Sequence, residues 1–525
     1  MTDSSSRLPD QTDLKKETVE KSDVVSEAAQ VRISPVESGR LLPPEIDTSS
    51  GEGTGCSWRE DPAYAALLFS AFTMGFSLPL GRLGIAVALI LTIRDVVRGR
   101  RRWLIPSTAK AWWLHLLIAL VTTLAVAATN TDPLIIPGRS ASKLTKLIWF
   151  MAIPIVPTLV NSRARFWQLA TAFTMGAGID AARVLLYNTV AAWVQVTLPF
   201  PDDPAPSEAG QRLLGITDSL GITEKLHKWI SRHWRARTYG DALAKLGGMG
   251  MAQRLMSAFA ASLALTFYSS RSGGARRTTL RRMALTIWLA AGLLFALKRG
   301  PWISAALVAL PLLVAGLRLR RAVPLLLLTL VALLALPQAR TRLAELPQEF
   351  TFDKGGRALM WCHIVPGLRR DHPWGVGFRA LTNDKMRTYT RRVELYQNHV
   401  HSNPLQVLVE LGWQGLASYL CWMTLALWQA VVLLRRGFGR RREEAGVAVE
   451  AQQMDGLSRP DDDIFLRAVP LVILATLILN GIVEYNLGDA EVVLVYGFSI
   501  GLAALSAGSC RRRAVCREGR LSPRP

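Results

Sequence analysis

The chain has 525 residues, half of them hydrophobic, a formal net charge of +22 and a mean hydropathy of +0.22. Long apolar runs separated by arginine clusters give the composition of a polytopic membrane protein and exclude an ordinary soluble domain. The basic residues form no single basic domain, so no nucleic-acid partner is expected; topology and anionic membrane lipids account for them better.

Residues 1–57 are rich in Ser, Glu, Asp and Pro and read as a disordered cytoplasmic tail, with no cleavable signal expected. Apolar runs then predict crossings at 62–79, 82–97, 112–130, 144–161, 166–198, 251–270, 283–298, 301–317, 322–337, 404–434, 465–484 and 489–508. The predicted fold is all-α, with about twelve transmembrane helices of roughly 20 residues each. They group as N-terminal helices within 58–198, a periplasmic loop at 199–250, helices within 251–337, a large periplasmic loop at 338–403, helices within 404–508, and a basic cytoplasmic tail at 509–525. Cys56, Cys362, Cys421, Cys510 and Cys516 show no C-x-x-C spacing and supply no metal or disulfide framework.

Short arginine-rich loops, among them RDVVRGRRR (94–102), SRAR (162–165), RLRR (318–321) and RRGFGRRREE (435–444), all fall on one side under this count. The positive-inside rule makes that side cytoplasmic, with both termini there and both long loops outside. Inside the fifth span, Asp180 and Arg183 are spaced i, i+3 and most simply neutralise each other.

The exterior segments carry the unusual chemistry. RARTYGD (235–241) offers Arg235 and Arg237 as forks for phosphate oxygens beside a tight turn at Gly240; an interfacial arginine–tyrosine anchor is the plainer use of the same residues. LKRGPWI (297–303) sets Arg299 at a helix start, where a phosphate can be cradled, although snorkelling to the interface is the commoner role of such an arginine. In HVHSNPLQVLVELGWQGL (399–416), His399 and His401 stand before a helix that Asn403 caps and Pro404 opens. Glu410, about two turns further on, is expected to pair with an arginine and hold the helix in place. In NGIVEYNLGDAE (480–491), Glu484, Asp489 and Glu491 either pair with the arginine-rich loops, the preferred reading, or bind a divalent metal.

RTYG (237–240), KRGPW (298–302), GRALMW (356–361), HPWGVGF (372–378), the histidine motif and a closing VEYNLGDAEV together resemble the O-antigen ligase and polymerase superfamily. The specific part of the resemblance runs from about 235 to 500. It implies a membrane glycosyltransferase of the all-helical C type in the bacterial inner membrane, which moves a glycan from undecaprenyl diphosphate to an acceptor, a lipid A core sugar or another glycan, at the periplasmic face. Arginines matching Arg237 and Arg299 would handle the diphosphate, and the histidine matching His401 would serve the acceptor. Two departures are His401-Ser402, where the family has His-Asn, and DALAKLGGMG after the first arginine.

The residue chemistry fits this without a cofactor or metal. Arg237 and Arg299 could stabilise the departing diphosphate, with Arg235 and Arg357 as further substrate-binding candidates. A neutral imidazole can take the proton of an attacking hydroxyl, His401 first and His399 second. A polymerase joining lipid-linked repeats differs only in its acceptor, and a lipid-linked glycan transporter is a further alternative.

The topology is open to a direct check. A cysteine introduced near Ala209 should react with an impermeant thiol reagent before the inner membrane is permeabilised; reaction only afterwards would overturn the orientation.

Overall fold

The computed structural model describes residues 61–135, 143–197, 249–273, 275–317, 320–324, 331, 334–335, 337–344, 346–347, 356–390, 399–436 and 463–505, and every regular element among them is helical. Asp61 opens the first helix, α1 (Pro62–Thr73): its carboxylate accepts the Tyr64 N–H at 3.1 Å, and Pro62 needs no hydrogen-bond acceptor there. After α1 come α2 (Leu78–Val97), α3 (Ser107–Thr129), a 3₁₀ segment (Thr145–Met151) continued by α4 (Ala152–Leu159), and α5 (Arg163–Thr197). The second half contributes α6 (Met249–Arg271), α7 (Arg276–Phe295), α8 (Arg299–Leu317) and α9 (Pro337–Ala344).

The stretch expected as a large loop is itself substantially helical where it is described. Arg357–Leu359, Met360–Ile364 and Val365–Asp371 run on as one helix, α10, with a π turn in its middle, and α11 (Asn383–Thr388) follows. These elements pack a small apolar cluster of their own, centred on Met360, Ile364, Leu368, Val376, Met386 and Val400. Lys385 pairs with Asp132 at 2.7 Å and Thr382 donates to the Leu134 carbonyl at 2.6 Å, which ties this layer to the segment after α3. The chain closes with α12 (Asn403–Arg436), α13 (Ile464–Val483) and α14 (Ala490–Ala503).

Among the described residues, five helices are long and apolar enough to cross a membrane: α3, α5 over Arg163–Leu186, α8, α12 over Asn403–Arg435, and α13. This is fewer than the crossings expected. α1 has only 12 residues, and α7 starts with RRTTLRR, which lowers its mean hydropathy. The expected span at 322–337 and the expected loop at 199–250 fall largely outside the described residues.

α13 lies against α6, α8 and α12, while α12 also packs on α3 and α6 also packs on α5 and α7. A buried charged contact joins α5 to α6. Asp180 of α5, fully buried, accepts from the Arg254 Nε of α6 at 3.0 Å, while its sequence neighbour Arg183 reaches it at 3.3 Å from a more exposed position. The expected Asp180–Arg183 neutralisation is therefore present, but the buried partner comes from another helix.

Removing Arg254 takes away the buried partner of Asp180 and leaves it the longer contact with the more exposed Arg183. Arg254→Ala should cost about 3 kcal/mol or more in unfolding stability, and the double change Arg254→Met with Asp180→Asn should recover most of it. Thermal unfolding of the detergent-solubilised variants checks this; equal stability of the single variant and wild type would remove the pair from the fold's support.

Candidate active site

The first part of α12 is short because the helix breaks at Gly412, where φ is 72° and ψ is −168°. That backbone is open mainly to glycine. The carbonyls released at the break are taken up by the HPWGVGF segment: Val376 N–H donates to Val409 C=O at 3.0 Å and Gly377 N–H to Glu410 C=O at 2.8 Å. Gly375, at φ 98°, runs so close to the Glu410 carbonyl that a side chain would collide with it. The glycines of this motif thus let one backbone cap another.

At the other end of this short helix, Val400 is pinned through both of its backbone groups. Its N–H donates to Gln406 Oε1 at 2.8 Å, and its carbonyl accepts from the Trp361 indole at 2.8 Å. The flanking histidines are fixed with it. His401 adopts φ 50°, a left-handed conformation that costs a non-glycine residue about 1–3 kcal/mol and persists only where the surroundings over-determine it.

Asn403 begins the helix as expected but does not cap it with its side chain. Its Oδ1 accepts the Asn486 N–H at 2.9 Å and the Leu487 N–H at 3.1 Å, so it ties α12 to the turn after α13. This tether brings Glu484 under the histidines. His401 Nδ1 lies 2.8 Å from Glu484 Oε1, His399 Nε2 lies 3.8 Å from the same oxygen, and the two imidazole rings are 4.4 Å apart. On its other oxygen Glu484 meets Arg357 Nη2 at 3.3 Å, and Arg357 Nε donates to the Val483 carbonyl at 2.9 Å.

Burial alone would raise the Glu484 carboxyl, but hydrogen bonds from His399 and His401 and the charges of His401 and Arg357 outweigh it, holding the group well below the usual carboxylate range. It is therefore ionised at neutral pH and can only accept, so the His401 proton sits on Nδ1 and Nε2 is the basic nitrogen. Burial lowers the Arg357 guanidinium, the Glu484 carboxylate opposes this, and Arg299 adds repulsion, which brings Arg299 into the same electrostatic neighbourhood. Gly300 fits that crossing closely: an added Cβ would lie 2.7 Å from Asn480 Oδ1.

Of the residues named from the sequence, His401, His399, Arg357 and Arg299 come together here. Arg235 and Arg237 lie outside the described residues. Glu410 is buried one helical segment away, where it accepts from Gln406 Nε2 at 2.6 Å and from the Arg379 backbone, with Arg379 and Lys143 in electrostatic reach. An arginine does accompany it, and Gln406 links its carboxylate to Val400, which lies between the two histidines. Glu484 joins the histidines, Asp489 acts on Lys146, and the Glu491 side chain lies outside the described residues.

His399, His401 and Glu484 offer ligand atoms within 4.8 Å of one another, and this set could hold a divalent ion. The direct imidazole–carboxylate bond and the arginine on Glu484 favour instead a hydrogen-bonded relay beside cations. Sequence reasoning missed Asn403 as a tether, and Gln253 and Asn480, fully buried amides whose side-chain atoms have no hydrogen-bond partner among the described residues, since no local pattern distinguishes such amides from surface ones.

Glu484→Gln keeps the shape and removes the charge, leaving Arg357 and the histidines around a neutral amide. Because its carboxyl is depressed in the folded state, Glu484 contributes stability that is present above the ordinary carboxylate pKa and lost as pH falls through the depressed value. Wild type should exceed Glu484→Gln by about 3 kcal/mol at neutral pH, with the gap closing in acid. Urea unfolding of the solubilised proteins at several pH values checks this, and a gap independent of pH would refute it.

Residues 284–420 match a family model described as O-antigen ligase. The match contains KRGPW, GRALMW, HPWGVGF and the histidine motif, and stops before Glu484. A comparison with curated proteins gives no match. Residues 284–420, which supply Arg299, Arg357, His399 and His401, are thus similar to the O-antigen ligase family.

Proposed function

We propose that the protein is an O-antigen ligase-like glycosyltransferase that moves a glycan from undecaprenyl diphosphate to a hydroxyl of a lipid A core sugar at the periplasmic face of the inner membrane. The observation that carries this reading is the His401–Glu484 dyad set beside Arg357 and Arg299 within a segment of O-antigen ligase type. The similarity of residues 284–420 to the O-antigen ligase family supports ligase- or polymerase-type action on lipid-linked glycans in general.

In this mechanism the acceptor oxygen attacks the anomeric carbon of the donor sugar. His401 Nε2 takes the hydroxyl proton while Glu484 holds the ring in the required tautomer and stabilises the imidazolium that forms. As the new C–O bond forms, the bond to the diphosphate breaks and its electron pair leaves on phosphate oxygen. Arg299 and Arg357 are assigned to stabilise that growing charge, and Arg237 and Arg235 to the same leaving group. No metal is required, because the arginines supply the positive charge. His399 supports the acceptor side, and Glu410 fixes the short helix on which the histidines depend.

The proposal is tested with purified protein in liposomes holding a lipid-linked glycan and lipid A core. His401→Ala should lower transfer by about 10²–10⁴-fold without loss of folding or donor binding. Arg299→Lys should lose most of the transfer although the charge is kept, because a point charge cannot replace a bidentate fork. Near wild-type rates in folded His401→Ala protein would make the histidine structural. In cells, loss of long chains on lipid A core with retention of the lipid-linked polymer supports the ligase, whereas accumulation of single repeats identifies a polymerase.

A further inference from the structure

The segment 271–282, which runs into α7, holds five arginines and no acid. Three arginines are buried among the described residues: Arg165, Arg254 and Arg282. The first two meet carboxylates, Arg165 Nη1 at 2.7 Å from Asp61 Oδ2 and Arg254 Nε at 3.0 Å from Asp180 Oδ2. Arg282, 8% exposed, meets none among the described residues. Its Nη2 donates to Thr171 Oγ1 at 2.9 Å, its guanidinium lies 4.5 Å from the centre of the Trp167 ring, and its Nε is buried with no hydrogen-bond partner among the described residues.

A guanidinium withdrawn from water is costly unless an anion meets it, and a hydroxyl and a ring face neutralise no charge. Arg281 stands beside Arg282, exposed, and it too meets no carboxylate among the described residues. Where this fold buries its other two arginines it supplies an aspartate. At Arg282 it supplies a hydroxyl, a ring and an open groove.

That groove, about 570 Å³ in volume, lies between α5 and α7, and Thr278, Arg281 and Arg282 line it together with Thr171. Two contacts set the register of its walls. Arg282 meets Thr171 at one level, and about two turns further along both helices Trp288 Nε1 donates to the Gly178 carbonyl at 2.9 Å. The polar lining therefore sits at the arginine-rich end, and beyond it the walls are Met175, Ile179, Leu285 and Trp288, of which all but Leu285 are exposed. α5 over Arg163–Leu186 is long and apolar enough to cross a membrane, so this bare trough faces lipid. Cations at the head of an apolar trough suit an amphiphile with an anionic headgroup, whereas a free anion has no use for the trough.

We propose that the groove between α5 and α7 binds an anionic glycerophospholipid from the leaflet on the arginine-rich side, its phosphate on Arg281 and Arg282 and an acyl chain along Met175, Ile179 and Leu285. Charge-assisted hydrogen bonds from the two guanidiniums hold the phosphate, and Thr278, one turn earlier on the same face of α7, offers its hydroxyl to it. The lipid supplies the anion that the chain does not, and so becomes part of the packing of α5 on α7. This site is separate from the His401 dyad and does not depend on the transferase reading.

The test uses the full chain, purified in detergent and stripped of phospholipid, with phosphatidylglycerol, phosphatidylcholine and inorganic phosphate as probes. In native mass spectrometry wild type should hold phosphatidylglycerol about tenfold or more tightly than phosphatidylcholine, and the double variant Arg281→Gln with Arg282→Gln should lose that preference. Arg281→Gln alone, an exposed change that should leave lipid-free thermal unfolding unaltered, should show a smaller loss in the same direction. Thermal unfolding separates binding from packing at Arg282. Arg282→Met keeps a side chain against Trp167 and removes the uncompensated charge, so without lipid it should be at least as stable as wild type; phosphatidylglycerol should then raise the midpoint of wild type and leave that of the variant unchanged. Equal retention of both lipids by wild type overturns the proposal, as does unchanged phosphatidylglycerol binding in the double variant. Equal stabilisation of wild type by inorganic phosphate overturns it by assigning the cations to a free anion, and a loss of stability in Arg282→Met that is the same with and without lipid overturns it by making Arg282 a packing residue.

Discussion

A buried carboxylate holds the candidate site together. Glu484 ends α13 only 6% exposed, and an anion in that position is stable only if its oxygens are fully engaged. His401 and His399 engage one oxygen and Arg357 the other. Three parts of the chain that are distant in sequence must therefore arrive together: the segment before α12, the end of α13 and the start of α10. The same contacts that make the carboxylate tolerable set the histidine tautomer, so the fold and the chemistry have one origin here.

Precision at this point comes from short-range backbone constraints. The break at Gly412 ends the first part of α12 after about two turns, and HPWGVGF closes over the break. Gln406 links the two ends of that segment by accepting from Val400 N–H and donating to Glu410. With Val400 held on both sides, His401 is kept in a left-handed conformation and has little freedom to turn away from Glu484. Asn403 adds the tether to the 485–487 turn and so fixes the partner as well as the base.

Much of this was legible in the sequence and some was not. Histidines before a helix start, an arginine at the start of α8, and an acidic turn after α13 were each visible because they break an apolar pattern. The pairing of Glu484 with Arg357 was expected only as a class, an acid with some arginine. Asn403 was assigned to capping because its local sequence is that of a cap, whereas its side chain found better partners across the interface. Asp180 illustrates the same limit: Arg183 was the nearest partner in sequence, and Arg254 is the buried one in space.

Composition and hydrophobic periodicity by themselves determined an all-helical membrane-type chain, the positions of most helices, and the segments where polar chemistry concentrates, because burial of apolar side chains and satisfaction of the backbone are local requirements. Tertiary structure alone decided which polar groups meet. Glu484 beneath His401, Arg357 beside Arg299, and Arg379 with Lys146 on one carbonyl join residues separated by tens to hundreds of positions. The physical reason is that a buried charge is stabilised by whichever opposite charge or donor the packing brings within hydrogen-bond reach, and sequence spacing does not encode that distance.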